Sequence, residues 1–244
     1  IVSAAAYTAV DKAESEPDLA HAINGRGAGA VAKAAAALGV PMIHLSTDYV
    51  FDGSKASPWL ESDPVAPLGV YGASMLAGEE AVLASGARAV VLRVAWIHSP
   101  FGANFVKTML RLAESRDRLG VVADQTGAPT SALDIADAVL RIAKTLVERP
   151  DEPTLLGVFH MGAGGPDASW ADFAEAIFAG AAVRGRKAPV VDRIPTSAYP
   201  TPAKRPAQSR LDSAKLASVH GVTLPDWRGS LETVLDRLVG PKYS

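Results

Sequence analysis

The chain contains no cysteine, which excludes disulfides, thiolate nucleophiles and thiolate metal sites together. It also lacks an excess of charge of one sign: 24 Lys+Arg stand against 26 Asp+Glu, a formal net charge of -2. Without a basic footprint, nucleic acid is not an expected partner. No apolar run approaches the ~20 residues a membrane-crossing helix needs, and no secretory signal is recognisable. The default expectation is a soluble cytoplasmic protein with no membrane association. An initiator methionine is missing as well. Ile1 to Tyr7, IVSAAAY, reads as the end of a buried strand running into a loop, and a portion preceding it is expected.

The 244 residues present suit one large domain or two small interleaved ones, with ample core. Helix-like and strand-like stretches alternate. The alanine-rich segment 16–40 ends at Gly39 before Pro41, a helix stop. PMIHLSTDYVF (41–51) is a short apolar run that turns polar at Ser46-Thr47-Asp48, as a buried strand does where it emerges. ASMLAGEEAVLASG (73–86) is helical, ARAVVLRVAWI (87–97) strand-like, 103–116 helical and RLGVVAD (118–124) another strand. Ser131 with Asp134, and Ser169 with Asp172, have the spacing of helix capping boxes. GVFHMGAGG (157–165) reads as a strand closing in glycines, 188–212 is rich in proline, and LETVLDRLVG (231–240) ends the chain as a helix. Such alternation predicts an open parallel α/β sheet covered by helices on both faces.

In open α/β sheets ligands lie beyond the carboxyl ends of the strands. The polar clusters Ser46–Asp48, Trp96–Ser99, Asp124–Thr130 and Gly162–Gly165 all follow strands, which points to one shared cleft. NGRGAGA (24–30) is not a dinucleotide fingerprint, because it lies between helical stretches and does not follow a strand; close helix packing is the expected use of Gly25, Gly27 and Gly29. His44 reads as core, His98 lies nearer the cleft, and His21, His160 and His220 share no metal-site spacing. Asp52 reads as a turn former beside Gly53, with Asp48 either sharing that role or facing the ligand. Glu61 to Asp63 reads as a solvated loop. Trp96 is either core packing or a stacking wall, and Arg205 either a surface charge or a partner for a diphosphate.

STDYVFDG (46–53) followed by YGASMLAGE (71–79) resembles the extended short-chain dehydrogenase/reductase superfamily, and more narrowly the dTDP-4-dehydrorhamnose reductase family. The resemblance runs through nearly the whole chain, carried in order also by 3–24, 92–113, 121–137 and 199–212. It implies a Rossmann-type doubly wound parallel sheet, its N-terminal strands missing, with a small interleaved substrate-binding domain. Residues 1–98 and 120–148 would form the dinucleotide-binding domain; 99–119 and 149–244 would form mainly the sugar-nucleotide domain. The implied reaction moves hydride from NADPH (NADH is the alternative) to the C4 ketone of dTDP-4-dehydro-L-rhamnose. Carried over by position, Tyr71 is the general acid and Thr47 hydrogen-bonds the same oxygen. Ala4, Ala5 and Tyr7, with Tyr71, line the cofactor; Thr47, Asp48, Trp96, Asn104, Gln125, Thr130 and Arg205 meet the sugar nucleotide. Some relatives dimerise through Mg²⁺, but no acidic cluster here matches that site, so no metal is assigned and monomer and homodimer both stay open.

The family's lysine position holds Met75. Residues four apart share a helix face, and an ammonium there would lower the tyrosine pKa from its reference of about 10. Methionine keeps length and helix propensity but carries no charge and no donor. Severely reduced turnover is therefore expected, with nucleotide-sugar binding partly kept. The alternative is a non-catalytic relative resembling the regulatory subunit of methionine adenosyltransferase, which works by binding a partner enzyme. A sugar-nucleotide epimerase is disfavoured by TPAKRPAQSRLD (201–212).

Overall fold

The computed structural model describes residues 1–241. The chain begins with strand β1 (Val2–Ser3), helices α1 (Val10–Ala13) and α2 (Pro17–Ala20), a π-helical turn His21–Gly27, and helix α3 (Ala28–Ala37). Next come β2 (Met42–Thr47), α4 (Val70–Leu83), β3 (Ala89–Val94), β4 (Ile97–His98) and α5 (Phe105–Ser115). Strands β5 (Arg118–Val122), β6 (Thr126–Gly127) and β7 (Thr130–Ser131) lead to α6 (Ala132–Glu148). The remainder is β8 (Gly157–His160), β9 (Ala168–Ser169), α7 (Trp170–Ala182), β10 (Val190–Ile194), α8 (Ala214–His220) and α9 (Trp227–Val239).

Among the described residues, β1-β2-β3-β8 form a four-stranded sheet in that order, every pair parallel. The period-two pattern of β3 explains the layering. Val90, Leu92 and Val94 pack with Ile135, Ile142 and Leu146 of α6. Ala89 and Val91 pack on the opposite face with Ala32 and Ala35 of α3 and Val82 of α4. Both faces are thus covered, as parallel strands require. β1 pairs in parallel with β2.

A second core joins α5, β5, α7 and α9 around Phe173, Ile177, Trp227 and Leu235, with β10 beside β5. The boundaries differ from the expected blocks. β5, which spans the expected limit at 120, lies in this second core because Leu119 and Val121 pack there. β8, inside 149–244, belongs to the main sheet through its pairing with β3, and Leu216 of α8 packs in the core of α6. A short strand with an apolar face sits wherever its partner offers a matching face, and sequence position alone does not give that.

Two local expectations need correction. Ser169 and Asp172 do form a reciprocal capping box. Ser131 caps α6 through Leu133 N–H, but Asp134 accepts a hydrogen bond from Ser230 of α9 and completes no box. Glu61 to Asp63 is not simply a solvated loop. Glu61 accepts the His160 N–H at 2.8 Å, and Asp63 binds Lys55 and Leu60 N–H. Gly25 and Gly29 face Ala77 and Ala81 of α4, and a Cβ on Gly78 would lie 2.2 Å from the Asn24 carbonyl. The glycine cluster therefore serves close helix packing.

Candidate active site

α4 starts close to the carboxyl end of β2. Its N-cap, Gly69, offers no side chain, and Glu14 accepts the Val70 N–H at 2.8 Å in its stead. A Cβ on Gly72 would stand 2.2 Å from the Tyr49 carbonyl oxygen, so only glycine lets the first turn of α4 rest on the turn that follows β2. That contact sets Tyr71 edge-on to Tyr49, ring centroids 5.4 Å apart. The Thr47 hydroxyl faces the Tyr71 phenol closely enough to favour its phenolate. Thr47 also accepts the Tyr49 N–H at 3.2 Å and donates to Asp48 Oδ1 at 3.1 Å.

The electrostatics favour a neutral phenol. Burial pushes the Tyr71 phenol up to about 12, Thr47 works against that rise, and the charge of Asp48 adds to it. Burial likewise lifts the Asp48 carboxyl to about 6, opposed by the hydroxyls of Ser209 and Thr47. Asp48 is 2% exposed and its Oδ2 has no hydrogen-bond partner. It is a buried group facing the phenol rather than a turn former. Asp52 does form the turn, accepting the Ser54 N–H.

Met75 is buried, 3% exposed, one turn beyond Tyr71. Its neighbour Ser74 receives a hydrogen bond from Asn24 Nδ2 at 2.9 Å. Asn24 also clamps the Tyr7 backbone, accepting its N–H at 2.6 Å and donating to its carbonyl at 3.1 Å. The loop after β1 is thereby tied to α4, leaving Ala4 and Ala5 exposed at the strand's carboxyl end and Tyr7 half-buried. Tyr7 donates its phenol to Glu16 at 2.6 Å.

Deeper along α4, Glu79 and Arg93 form a buried ion pair, with Ser46 donating to Glu79. Arg93 Nη1 lies 3.5 Å from His160 Nε2, and His160 Nδ1 lies 3.0 Å from the Trp59 carbonyl oxygen. This network bolts α4 to β2, β3 and β8. It was not anticipated, although an arginine inside the apolar run of β3, with a glutamate eight positions beyond Tyr71, was the available signal.

The sugar-nucleotide residues fall into two groups. Gln125, Arg205, Trp170, Tyr199 and Thr201 line a cavity of about 610 Å³ against α5 and β5. Gln125 donates to Thr196 at 3.0 Å, and Arg205 makes a forked ion pair with Asp11 at 3.1 and 2.8 Å. The chain 203–206 links this cavity to the hollow at Tyr71, since Ala203, Lys204 and Pro206 line the latter with Tyr49 and Gly69. Trp96 stacks on Trp170 with centroids 3.6 Å apart at φ +49°, a left-handed conformation uncommon outside glycine and concentrated at functional sites. Gly127 is required beneath it, because a Cβ would come within 2.7 Å of the indole.

Asn104 and Thr130 are placed differently. Asn104 caps α5, its oxygen accepting Lys107 N–H and its amide donating to the Ser99 and Phe101 carbonyls. Thr130 is fully buried, donating to Ala128 and accepting from Ala163 N–H. Both therefore hold loop structure locally beside any contact they make with a ligand. His44 is buried against Ser3, and His98 is fully buried with neither ring nitrogen partnered. Among the described residues no group of three or more His, Asp or Glu could hold a metal ion, and no helix is long and apolar enough to cross a membrane.

Residues 1–239 match the model of the RmlD substrate binding domain. A dTDP-4-dehydrorhamnose reductase of Sinorhizobium fredii (strain NBRC 101917 / NGR234) is 52% identical over 231 residues, 94% of this chain and 77% of that protein. The chain belongs to the dTDP-4-dehydrorhamnose reductase family. The reductase of Escherichia coli K12 is 44% identical over 240 residues, covering 98% of this chain and 79% of that one. Among solved structures, a family member from Clostridium acetobutylicum superposes with a TM-score of 0.88 at 39% identity, over 97% of this chain and 80% of that one. One from Bacillus anthracis, in complex with NADP, gives 0.87 at 36%, over 96% and 79%. These likenesses establish the Rossmann-type α/β fold and place the chain in a family of NADP-dependent oxidoreductases.

Proposed function

We propose that this chain reduces the C4 ketone of dTDP-4-dehydro-L-rhamnose to dTDP-L-rhamnose with NADPH, at a rate held down by Met75. The supporting observation is the meeting of Tyr71 and Thr47 at the carboxyl end of β2, in a chain half identical to a named reductase. The residues present fit the nicotinamide end of the cofactor: small exposed Ala4 and Ala5, the clamped Tyr7 loop and Tyr71. NADPH, when bound, supplies the hydride. Tyr71 hands its phenolic proton to the substrate oxygen as that oxygen gains charge, and Thr47 steadies the same oxygen by hydrogen bonding. Arg205 and Gln125, with the stacked Trp96 and Trp170, hold the sugar nucleotide across the larger cavity. A guanidinium in that position suits a diphosphate.

Met75 is the observation that favours a second reading, a non-catalytic relative that binds a partner enzyme. Calorimetric titration with the dTDP-sugar, together with NADPH oxidation in its presence, separates the two. Measurable dTDP-sugar affinity with slow oxidation that disappears in Tyr71→Phe supports the reductase. A stable complex with another enzyme, and no dTDP-sugar affinity, refutes it.

A further inference from the structure

When Tyr71 gives up its proton it must recover one, and nothing one turn along α4 can return it, because a thioether carries no proton. Beside the phenol, a hydroxyl and a carboxyl stand in series. Thr47 Oγ1 faces Tyr71 and donates to Asp48 Oδ1 at 3.1 Å. The carboxyl is 2% exposed, its Oδ2 is unpartnered, and no cation pairs with it among the described residues. The ionisable groups around it are Tyr71 from α4 and Tyr49 on its own turn, with Arg205 and Asp11 acting on Tyr49 from beyond. A carboxylate so enclosed is poorly solvated and retains a proton to higher pH than an exposed one.

We propose that Asp48 is the proton reservoir of this site, resupplying Tyr71 through the Thr47 hydroxyl. The proposal rests on the reductase reading and deepens it. As the phenolic O–H bond breaks, a new O–H bond forms on the substrate oxygen. With Asp48 protonated the 3.1 Å contact runs the other way, the carboxyl donating to the Thr47 oxygen, so the Thr47 hydroxyl proton is free to pass to the phenolate while the Asp48 proton passes to Thr47. One proton leaves Asp48 and one arrives on the product, while Tyr71 and Thr47 end unchanged. The reservoir serves the interval in which bound substrate covers the phenol; once product has left, Tyr71, the half-buried end of the chain of groups, meets solvent again and Asp48 is reloaded by the reverse passage.

Two measurements on the whole protein test this. Carbon-13 NMR of aspartate- and tyrosine-labelled protein, without substrate, should show one carboxyl titrating near the value of about 6. That signal should vanish in Asp48→Asn, with the Tyr71 phenol titrating lower. The pH profile of turnover should fall about tenfold per unit above that pKa in the wild type. In Asp48→Asn and Thr47→Val it should be low and flat, with the loss falling mainly on kcat, and Thr47→Ser should restore the slope. A loss confined to KM, an equal loss at every pH, or an unaltered slope in Asp48→Asn overturns the relay. So does a Tyr71 titration indifferent to Asp48. Linked titrations without any dTDP-sugar-dependent NADPH oxidation support the relay and count against the reductase reading instead.

Discussion

Replacing Met75 by lysine asks how much the missing ammonium is worth. The site is 3% exposed and shares a helix face with Tyr71, so a lysine of similar length brings its charge near the phenol. Tyr71 titrates at about 12, roughly five units above neutrality, so phenolate formation costs about 7 kcal/mol at pH 7. An ammonium about 5 Å away, at an effective dielectric of about 20, returns roughly 3 kcal/mol. That equals about two pKa units, which brings the phenol near its ordinary value. Only part of that gain is felt in the transition state, and the new donor toward the bound ribose adds the rest. A rise of about 10²–10³ in turnover is expected. Ultraviolet difference titration of the tyrosines reads the first quantity, and NADPH oxidation with saturating dTDP-sugar reads the second. A phenol that drops by two units with no gain in turnover refutes the claim that phenolate stability limits the rate. A phenol that does not move shows that the ammonium never reaches it.

Further outcomes follow from the surroundings of the site. Glu79→Ala leaves Arg93 charged and buried without its partner, and should cost about 3–5 kcal/mol in urea denaturation; replacing both residues by apolar ones should recover most of that loss. Gly72→Ala drives a methyl into the Tyr49 carbonyl. It should lower turnover of the folded protein by more than tenfold while costing about 1–3 kcal/mol of stability, so unchanged turnover despite that stability loss would contradict the positioning role of this contact. Acid should destabilise the fold between pH about 6.5 and 4. Burial holds His98 down at about 4 and His160 at about 3, so the stability of their neutral forms is complete above the unfolded pKa and lost as pH falls through that window. Asp48, raised to about 6, works in the opposite sense, penalising the fold as pH rises. The two histidines outweigh it by roughly 4 kcal/mol at most by pH 4. Thermal melts across this range check the sign, and a flat profile would refute it.

How much of this was legible depends on how far each partner lies along the chain. The strand character of β3, the helix of α4 and the capping box at Ser169 are local patterns, and each was readable. Asp134 could not be read, because its partner Ser230 is 96 positions away; the His160 N–H that binds Glu61 is 99 away. Arg205 looked equally like a surface charge and a diphosphate ligand until Asp11, 194 positions earlier, fixed it beside the cavity. Asn104 is the converse case: its family motif pointed to the ligand, and its part in closing the loop from Ser99 came only with the structure.

The α4 face of the sheet shows why the proton chemistry sits where it does. Along β2 that face runs Met42, His44, Ser46, and along β3 it runs Ala89, Val91, Arg93, apolar at the amino ends and polar toward the carboxyl ends. Glu79 meets the polar part from α4, so the helix is fixed in register two turns beyond Tyr71. The glycine at 72 then lets the phenol settle against the strand end, where Thr47 and Asp48 are already hydrogen-bonded to each other. None of these contacts involves position 75. A site assembled this way keeps its phenol protonated and retains a carboxyl from which to reload it, so the substitution at 75 removes the stabiliser of the phenolate without removing the proton. Loss of the lysine should therefore slow each turnover while leaving Tyr71 the group that delivers the proton, whereas loss of Thr47 should break delivery even with the lysine restored. Adding Thr47→Val to Met75→Lys decides the order: if the double variant keeps the full gain of the single one, the hydroxyl carries no proton.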